Sequence, residues 1–60
     1  MKLRKLILDN LDITYSEFCK RIKISRMTLY HILHNMHKPS LIVINKICKY
    51  FGVSVGDYLD

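Results

Sequence analysis

The chain has 60 residues, half of them apolar, and a net charge of +5 at pH 7. This length allows one domain with one modest hydrophobic core, and it leaves no room for an enzyme cleft or an effector pocket beside that core. The apolar content argues against disorder, and the positive charge favours a polyanionic partner whose binding depends on salt.

Two cysteines and one short apolar run bear on where the protein works. Cys19 and Cys48 are far apart and too few for a disulfide scaffold, so we expect two reduced thiols that fill core positions in a cytoplasmic protein. The apolar run at the start of the chain is interrupted at Asp9, well short of a signal peptide or a membrane span. We therefore expect no membrane partner.

The first half of the chain predicts two helices. Apolar residues at helical spacing indicate the first helix, over residues 2–10. Thr14 is a suitable N-cap, and Glu17 follows it at the spacing of a capping box. The second helix is therefore predicted over residues 15–22.

The third predicted helix follows the second after only a few residues. Ser25 is its N-cap, the helix covers residues 26–34, and Asn35 closes it in a left-handed conformation. Both helices direct apolar side chains to a common core. Two short amphipathic helices joined at a tight corner have the layout of a helix-turn-helix, in which the second helix of the pair enters a DNA major groove. The apolar residues are Phe18, Ile22, Ile24, Leu29 and Ile32.

The remainder of the chain predicts two more helices within the same single domain of residues 1–60. Pro39 prevents the third helix from continuing, and Ser40 is the N-cap of a fourth helix over residues 41–51. Gly52 ends that helix, and a short fifth helix is predicted over residues 54–59.

Residues 14–40, TYSEFCKRIKISRMTLYHILHNMHKPS, resemble the helix-turn-helix of the Cro and phage-repressor (XRE-like) family. Three parts of its pattern are present without a gap, namely Phe18-Cys19, Ile24-Ser25 and Lys38-Pro39-Ser40. The similarity extends to residues 51–55, FGVSV. It implies an all-α, compact five-helix, lambda-repressor-like DNA-binding domain whose second and third helices form the helix-turn-helix.

The sequence departs from the family pattern in three places. Lys23 replaces the Gly of the corner, and a left-handed conformation there would cost about 1 kcal/mol. Tyr15 replaces a Gln that bridges to phosphate, although a phenol hydroxyl can also donate to a phosphate oxygen. Leu8 and Leu33 replace an Arg–Glu pair, and a matched apolar replacement of both partners is often neutral or stabilising.

The resemblance and the direction of the side chains together predict the DNA-contacting residues. Arg26 is the first choice for reading a base, because its planar guanidinium matches guanine O6 and N7, whereas Met27 can only contact an apolar group such as a thymine methyl. The predicted base-reading residues are Arg26, Met27, Tyr30 and His31. The predicted phosphate contacts are Thr14, Tyr15, Thr28, His34 and Lys38.

These residues imply a sequence-specific, double-stranded DNA-binding protein, namely a Cro-like transcriptional regulator that acts as a repressor. One module of this size buries little surface, whereas two modules on a palindromic operator add their contacts, so we expect a homodimer. The predicted dimer interface is the C-terminal segment with Val53, Val55, Tyr58 and Leu59.

Two other functions are left open by the sequence. One is a protein-binding module on the same fold, such as an antitoxin or a phage-type inhibitor, which would use Met27, Tyr30 and Met36. The other is a non-specific architectural DNA binder. The cations at the end of the second helix and at the corner are expected to be solvated. They are Lys20, Arg21 and Lys23.

Neither a metal site nor catalysis is expected. His31, His34 and His37 are spaced by three residues, but His37 lies past the end of the helix and no carboxylate or Cys joins them as a zinc ligand. The sequence has no Ser-His-Asp or paired-carboxylate arrangement. We therefore expect no enzyme activity, no cofactor and no small-molecule ligand.

Overall fold

The structure, a computed structural model, describes residues 2–36 and 38–58. Within these residues there is no strand, so the predicted all-α fold is confirmed. The helices are α1 (Lys2–Asn10), α2 (Tyr15–Ile22), α3 (Arg26–Leu33) and α4 (Leu41–Phe51), followed by a 3₁₀-helix (Val55–Tyr58). Helix α2 packs against α3 and α4, α1 packs against α3, and the 3₁₀-helix packs against α4.

The structure differs slightly from the prediction at the fifth helix. A 3₁₀-helix of four residues, Val55–Tyr58, takes the place of the short helix expected over residues 54–59, so the described residues form four α-helices. A segment this short gains too few α-helical hydrogen bonds to offset the cost of nucleation, so packing against the core holds it instead. Val55 and Tyr58 supply that packing, and Leu59 lies outside the described residues.

Three polar residues cap the helices at their N-termini. Thr14, Ser25 and Ser40 have extended backbones, and the side-chain oxygen of each accepts a hydrogen bond from the N–H three residues later. The donor–acceptor distances are between 3.0 and 3.4 Å. A cap of this kind contributes about 1 kcal/mol relative to Ala. These bonds explain why α2, α3 and α4 begin where they do.

Left-handed residues follow three of the helices. Asn35 (φ 53°) and Gly52 (φ 69°) are residue types that adopt this conformation readily. Lys23 (φ 57°) occupies the corner between α2 and α3, so the strain considered for this position is present in the structure. Helix α3 ends at Leu33, one residue before the predicted end, and His34 is its C-cap.

One hydrophobic core joins all four α-helices. Phe18 is fully buried at its centre, with its ring edge-on to Tyr50 at 5.1 Å between centroids and tilted against Phe51 at 5.8 Å. The side chain of Arg4 ties α1 to the end of α3, because its Nε donates to the Leu33 carbonyl at 2.7 Å. The buried residues are Leu3, Leu6, Ile7, Phe18, Cys19, Ile22, Leu29, Ile32, Ile44, Ile47 and Cys48.

Leu8 and Leu33, which replace the Arg–Glu pair of the family, are not deeply buried. Leu8 is 45% exposed and Leu33 is half-buried. None of the helices that the structure describes is long and apolar enough to cross a bilayer.

Candidate nucleic-acid interface

The corner between α2 and α3 fixes the direction of α3. The left-handed Lys23 turns the chain, and the Ile24 N–H donates to the Cys19 carbonyl at 3.1 Å. Cys19 is only 5% exposed, and its Sγ lies 3.9 Å from the Ser25 carbonyl oxygen. A larger side chain would separate the two helices, so the small Cys19 allows their close approach.

Helix α3 has a buried side and an outer side. Leu29 and Ile32 are at most 3% exposed and attach the helix to the core. On the other side Met27 is 62% exposed and Tyr30 is 50% exposed, while Arg26 is also exposed. His31 is half-buried at the edge of this side. The four predicted base-reading residues thus occupy one side of α3, as the spacing i, i+1, i+4, i+5 requires.

The guanidinium of Arg26 is held by a residue that the sequence analysis did not select. Arg26 Nη2 donates to Ser16 Oγ at 2.6 Å, so the first turn of α3 is bonded to the first turn of α2. A guanidinium has five N–H donors, and most of them stay available beside this bond. No local pattern indicates Ser16, because the contact joins residues ten positions apart and exists only when the two helices are packed.

A cleft of about 390 Å³ lies between α2 and α3 next to this bond. Four predicted site residues line it together: Tyr15, Arg26, Tyr30 and His34. The Tyr30 and His34 rings are 4.1 Å apart between centroids and tilted by 33°. Ser16, Cys19, Leu29 and Leu33 complete the lining.

The thiol of Cys19 adds no charge to this cleft. Burial raises the pKa of Cys19 above its ordinary value, and the nearby Arg26 opposes this effect only in part. Burial also raises the pKa of the core thiol Cys48, and Asp57 raises it further. Both thiols are free and protonated at neutral pH, so neither is an activated nucleophile.

Three further predicted residues meet on the other flank of α3. Thr28, His31 and Lys38 line a groove of about 260 Å³, together with the loop before α4 and the start of that helix. The Thr28 hydroxyl is 2.8 Å from Ser25 Oγ. Thr14, the N-cap of α2, lies apart from this groove and beside Tyr15.

The electrostatics of the two clefts suit an anion. Arg26 and Lys38 supply the formal positive charge, and hydroxyls and imidazole N–H groups supply further donors. Among the described residues that line either cleft there is no carboxylate. A negatively charged ligand that approaches α3 therefore meets donors on both sides of the helix and no like charge.

Other candidate residues lie elsewhere. Val53, Val55 and Tyr58 of the predicted dimer interface are half-buried and pack partly against the core. Lys20, Arg21 and Lys23 are exposed, as solvated cations should be. In the described part of the chain no three His, Cys, Asp or Glu side chains are grouped to hold a metal ion, and His37 falls outside that part.

These features define a helix-turn-helix protein. A family model for the Cro/C1-type HTH DNA-binding domain matches residues 2–60. Because the match covers almost the whole chain, the protein belongs to the Cro/C1-type helix-turn-helix family, and the resemblance of residues 14–40 is confirmed. Double-stranded DNA is the partner of this class of domain. Searches of curated proteins and of solved structures gave no significant match.

Proposed function

We propose that the protein is a Cro-like transcriptional repressor that binds a specific operator as a homodimer, with α3 in the major groove. The observation that carries this proposal is the outer side of α3, where the exposed Arg26 is oriented by Ser16. A base-reading side chain must reach the base edge in one conformation, and a bond within the protein reduces the conformational entropy lost on binding. The two free thiols support a cytoplasmic location.

Base reading is assigned to four residues of α3. Arg26 presents its remaining N–H donors to guanine O6 and N7, which is the commonest specific contact in DNA recognition. Met27, which is 62% exposed, contacts a thymine methyl. Tyr30 and His31 lie one turn further along and contact base edges or the adjacent backbone.

Phosphate binding is assigned to the residues on the flanks of α3. Thr14, Tyr15 and His34 contact one strand, together with main-chain N–H groups at the start of α2. Thr28 and Lys38 contact the other strand. The separation of these donors into two groups, one on each side of α3, supports this assignment, because two phosphate strands border a major groove.

The size of the module supports dimerisation. One domain of 60 residues gives few contacts, and a second copy on a palindromic operator adds as many again. The segment with Val53, Val55, Tyr58 and Leu59 is the proposed interface. In this proposal the bound dimer represses transcription by covering the operator.

The test begins with selection of bound sequences from a random duplex pool, followed by affinity measurements on the selected site with competitor DNA at two salt concentrations. We expect Arg26→Ala to lose about 1 to 3 kcal/mol of discrimination at one base pair while the fold is retained. Arg21→Ala is the matched control, because Arg21 is an exposed cation at the far end of α2. It should bind the site as the wild type does.

The same experiment separates the two alternatives. Equal binding of all duplexes, with no enriched sequence, would indicate an architectural DNA binder. No DNA binding at all would favour the protein-binding module, whose contact residues are exposed: Met27 is 62% exposed and Met36 is 54% exposed.

A further inference from the structure

A third cationic cleft lies at the opposite end of α2 from Ser16. It has a volume of about 300 Å³ and is formed by the last turn of α2, the corner, and the second half of α4. Four of the six described residues that line it are cations, and none is a carboxylate. We call it the corner cleft, and its lining residues are Arg21, Ile22, Lys23, Lys46, Lys49 and Tyr50.

The cations of the corner cleft are only weakly compensated within the fold. Lys46 Nζ donates to the Lys23 carbonyl at 3.2 Å, which uses one of its three N–H donors. Arg21 Nε is 3.5 Å from a Glu17 carboxylate oxygen, but both side chains are about half exposed, so this ion pair is weak. Like charges held together repel one another, and an external anion would relieve that repulsion.

The backbone at this place is also strained. Lys23 holds φ at 57°, in the left-handed region where Gly would be unstrained. Strained residues are common at binding sites. The strained residue here also contributes both a charge and an accepting carbonyl to the corner cleft.

The floor of the corner cleft is mostly apolar. Ile22 is 7% exposed, and the half-buried Tyr50 ring packs edge-on against Phe18. Phosphates of a nucleic acid would meet only the cationic rim and leave this floor uncovered. An acidic peptide with one apolar side chain would cover both the rim and the floor, since the aliphatic stems of lysines also pack against apolar groups.

We propose that the corner cleft binds an acidic segment of a partner protein, in which carboxylates flank one aromatic or large aliphatic side chain. The carboxylates pair with Lys23, Lys46 and Lys49, and the apolar side chain rests on Ile22 and Tyr50. The corner cleft shares no lining residue with the two clefts beside α3. A peptide in the corner cleft therefore leaves both of those clefts open to DNA, and the protein brings an acidic partner to its operator.

The test uses the full chain and a fluorescent nine-residue peptide with one Phe between two runs of four acidic residues. Its affinity is measured by fluorescence anisotropy and its site by amide chemical shifts. Two other probes are the same peptide with Ser in place of Phe, and a random 12-base-pair duplex. We expect the Ser peptide to bind at least about 5-fold more weakly, because it leaves the apolar floor uncovered.

The matched variants change the same number of charges in two places. Lys23→Gln with Lys49→Gln should weaken binding of the Phe peptide by about 5-fold or more, and Lys49→Gln alone should leave operator affinity unchanged. Lys2→Gln with Lys5→Gln removes two exposed cations from α1 and should change peptide affinity by less than about 2-fold. Thermal unfolding of each variant shows whether the fold is retained.

Three results would overturn the proposal. Equal affinity for the Phe and Ser peptides would mean that the floor is not used. Equal weakening by both pairs of substitutions would mean that only net charge matters. If the random duplex shifts the amide signals of the corner cleft, and if its binding depends on Lys23 and Lys49, the corner cleft is a nucleic-acid surface. If the wild-type protein binds no operator, the proposed repressor function is wrong, but the proposal for the corner cleft is not affected.

Discussion

The two ends of α2 differ in how they hold positive charge. At its start, one arginine is fixed by a hydrogen bond from Arg26 Nη2 to Ser16 Oγ and is surrounded by neutral donors and aromatic rings. At its end, four cations surround a strained corner, and few of their donors have partners among the described residues. The end with more charge is not the end at which we propose base reading. The proposal therefore rests on the orientation of donors and not on their number.

The largest expected effect concerns the close packing of α2 against α3 at Cys19. Cys19→Leu should lower the free energy of unfolding by about 1 to 3 kcal/mol, because the added volume forces α2 and α3 apart. Cys19→Ala is the control, since it removes only one sulfur atom and should cost less. Urea unfolding measures both. Equal stabilities of the Leu variant and the wild type would show that the α2–α3 approach is not tight.

The next prediction concerns the start of α2. Ser16→Ala should weaken operator binding by about 1 kcal/mol, because Arg26 loses the acceptor that orients it. The dependence of affinity on salt should not change, since no cation is removed. The measurement is affinity for the selected operator at several salt concentrations, with Asn45→Ala, at an exposed neutral position of α4, as the control. A variant that binds as tightly as the wild type would remove Ser16 from the positioning role.

A third prediction compares one cation from each region. Lys38→Ala should weaken binding about equally for all DNA sequences and reduce the slope of log affinity against log salt by about one ion. Lys49→Ala removes the same charge from the corner cleft and should leave the slope unchanged. A slope that responds equally to both substitutions would mean that DNA extends over both regions.

The smallest expected effect concerns the strain at the corner. Lys23→Gly should raise the free energy of unfolding by about 0.5 to 1 kcal/mol, because Gly adopts φ near 57° without a steric penalty. Lys20→Gly, inside α2, should instead lower it by about 1 kcal/mol. Thermal or urea unfolding of the two variants makes the comparison. Destabilisation by Lys23→Gly would show that side-chain contacts of Lys23 outweigh the strain.

The sequence by itself determined the features that depend on neighbours a few residues away. An N-cap bond spans three residues, so Thr14, Ser25 and Ser40 mark where helices begin. Asn35 and Gly52 mark left-handed ends for the same local reason. The outward direction of Arg26, Met27, Tyr30 and His31 follows from the helical period, because Leu29 and Ile32 must face the core.

Only the tertiary structure decided the features that depend on distant partners. The acceptor of Arg26 is ten residues away, and the carbonyl that receives Lys46 is 23 residues away. The segment 55–58 is too short to have a strong preference of its own, and it packs against α4 as a 3₁₀-helix. The corner cleft also exists only because α4 packs against the end of α2. This packing brings Lys46 and Lys49 next to Arg21 and Lys23, which the sequence alone predicted only as solvated cations.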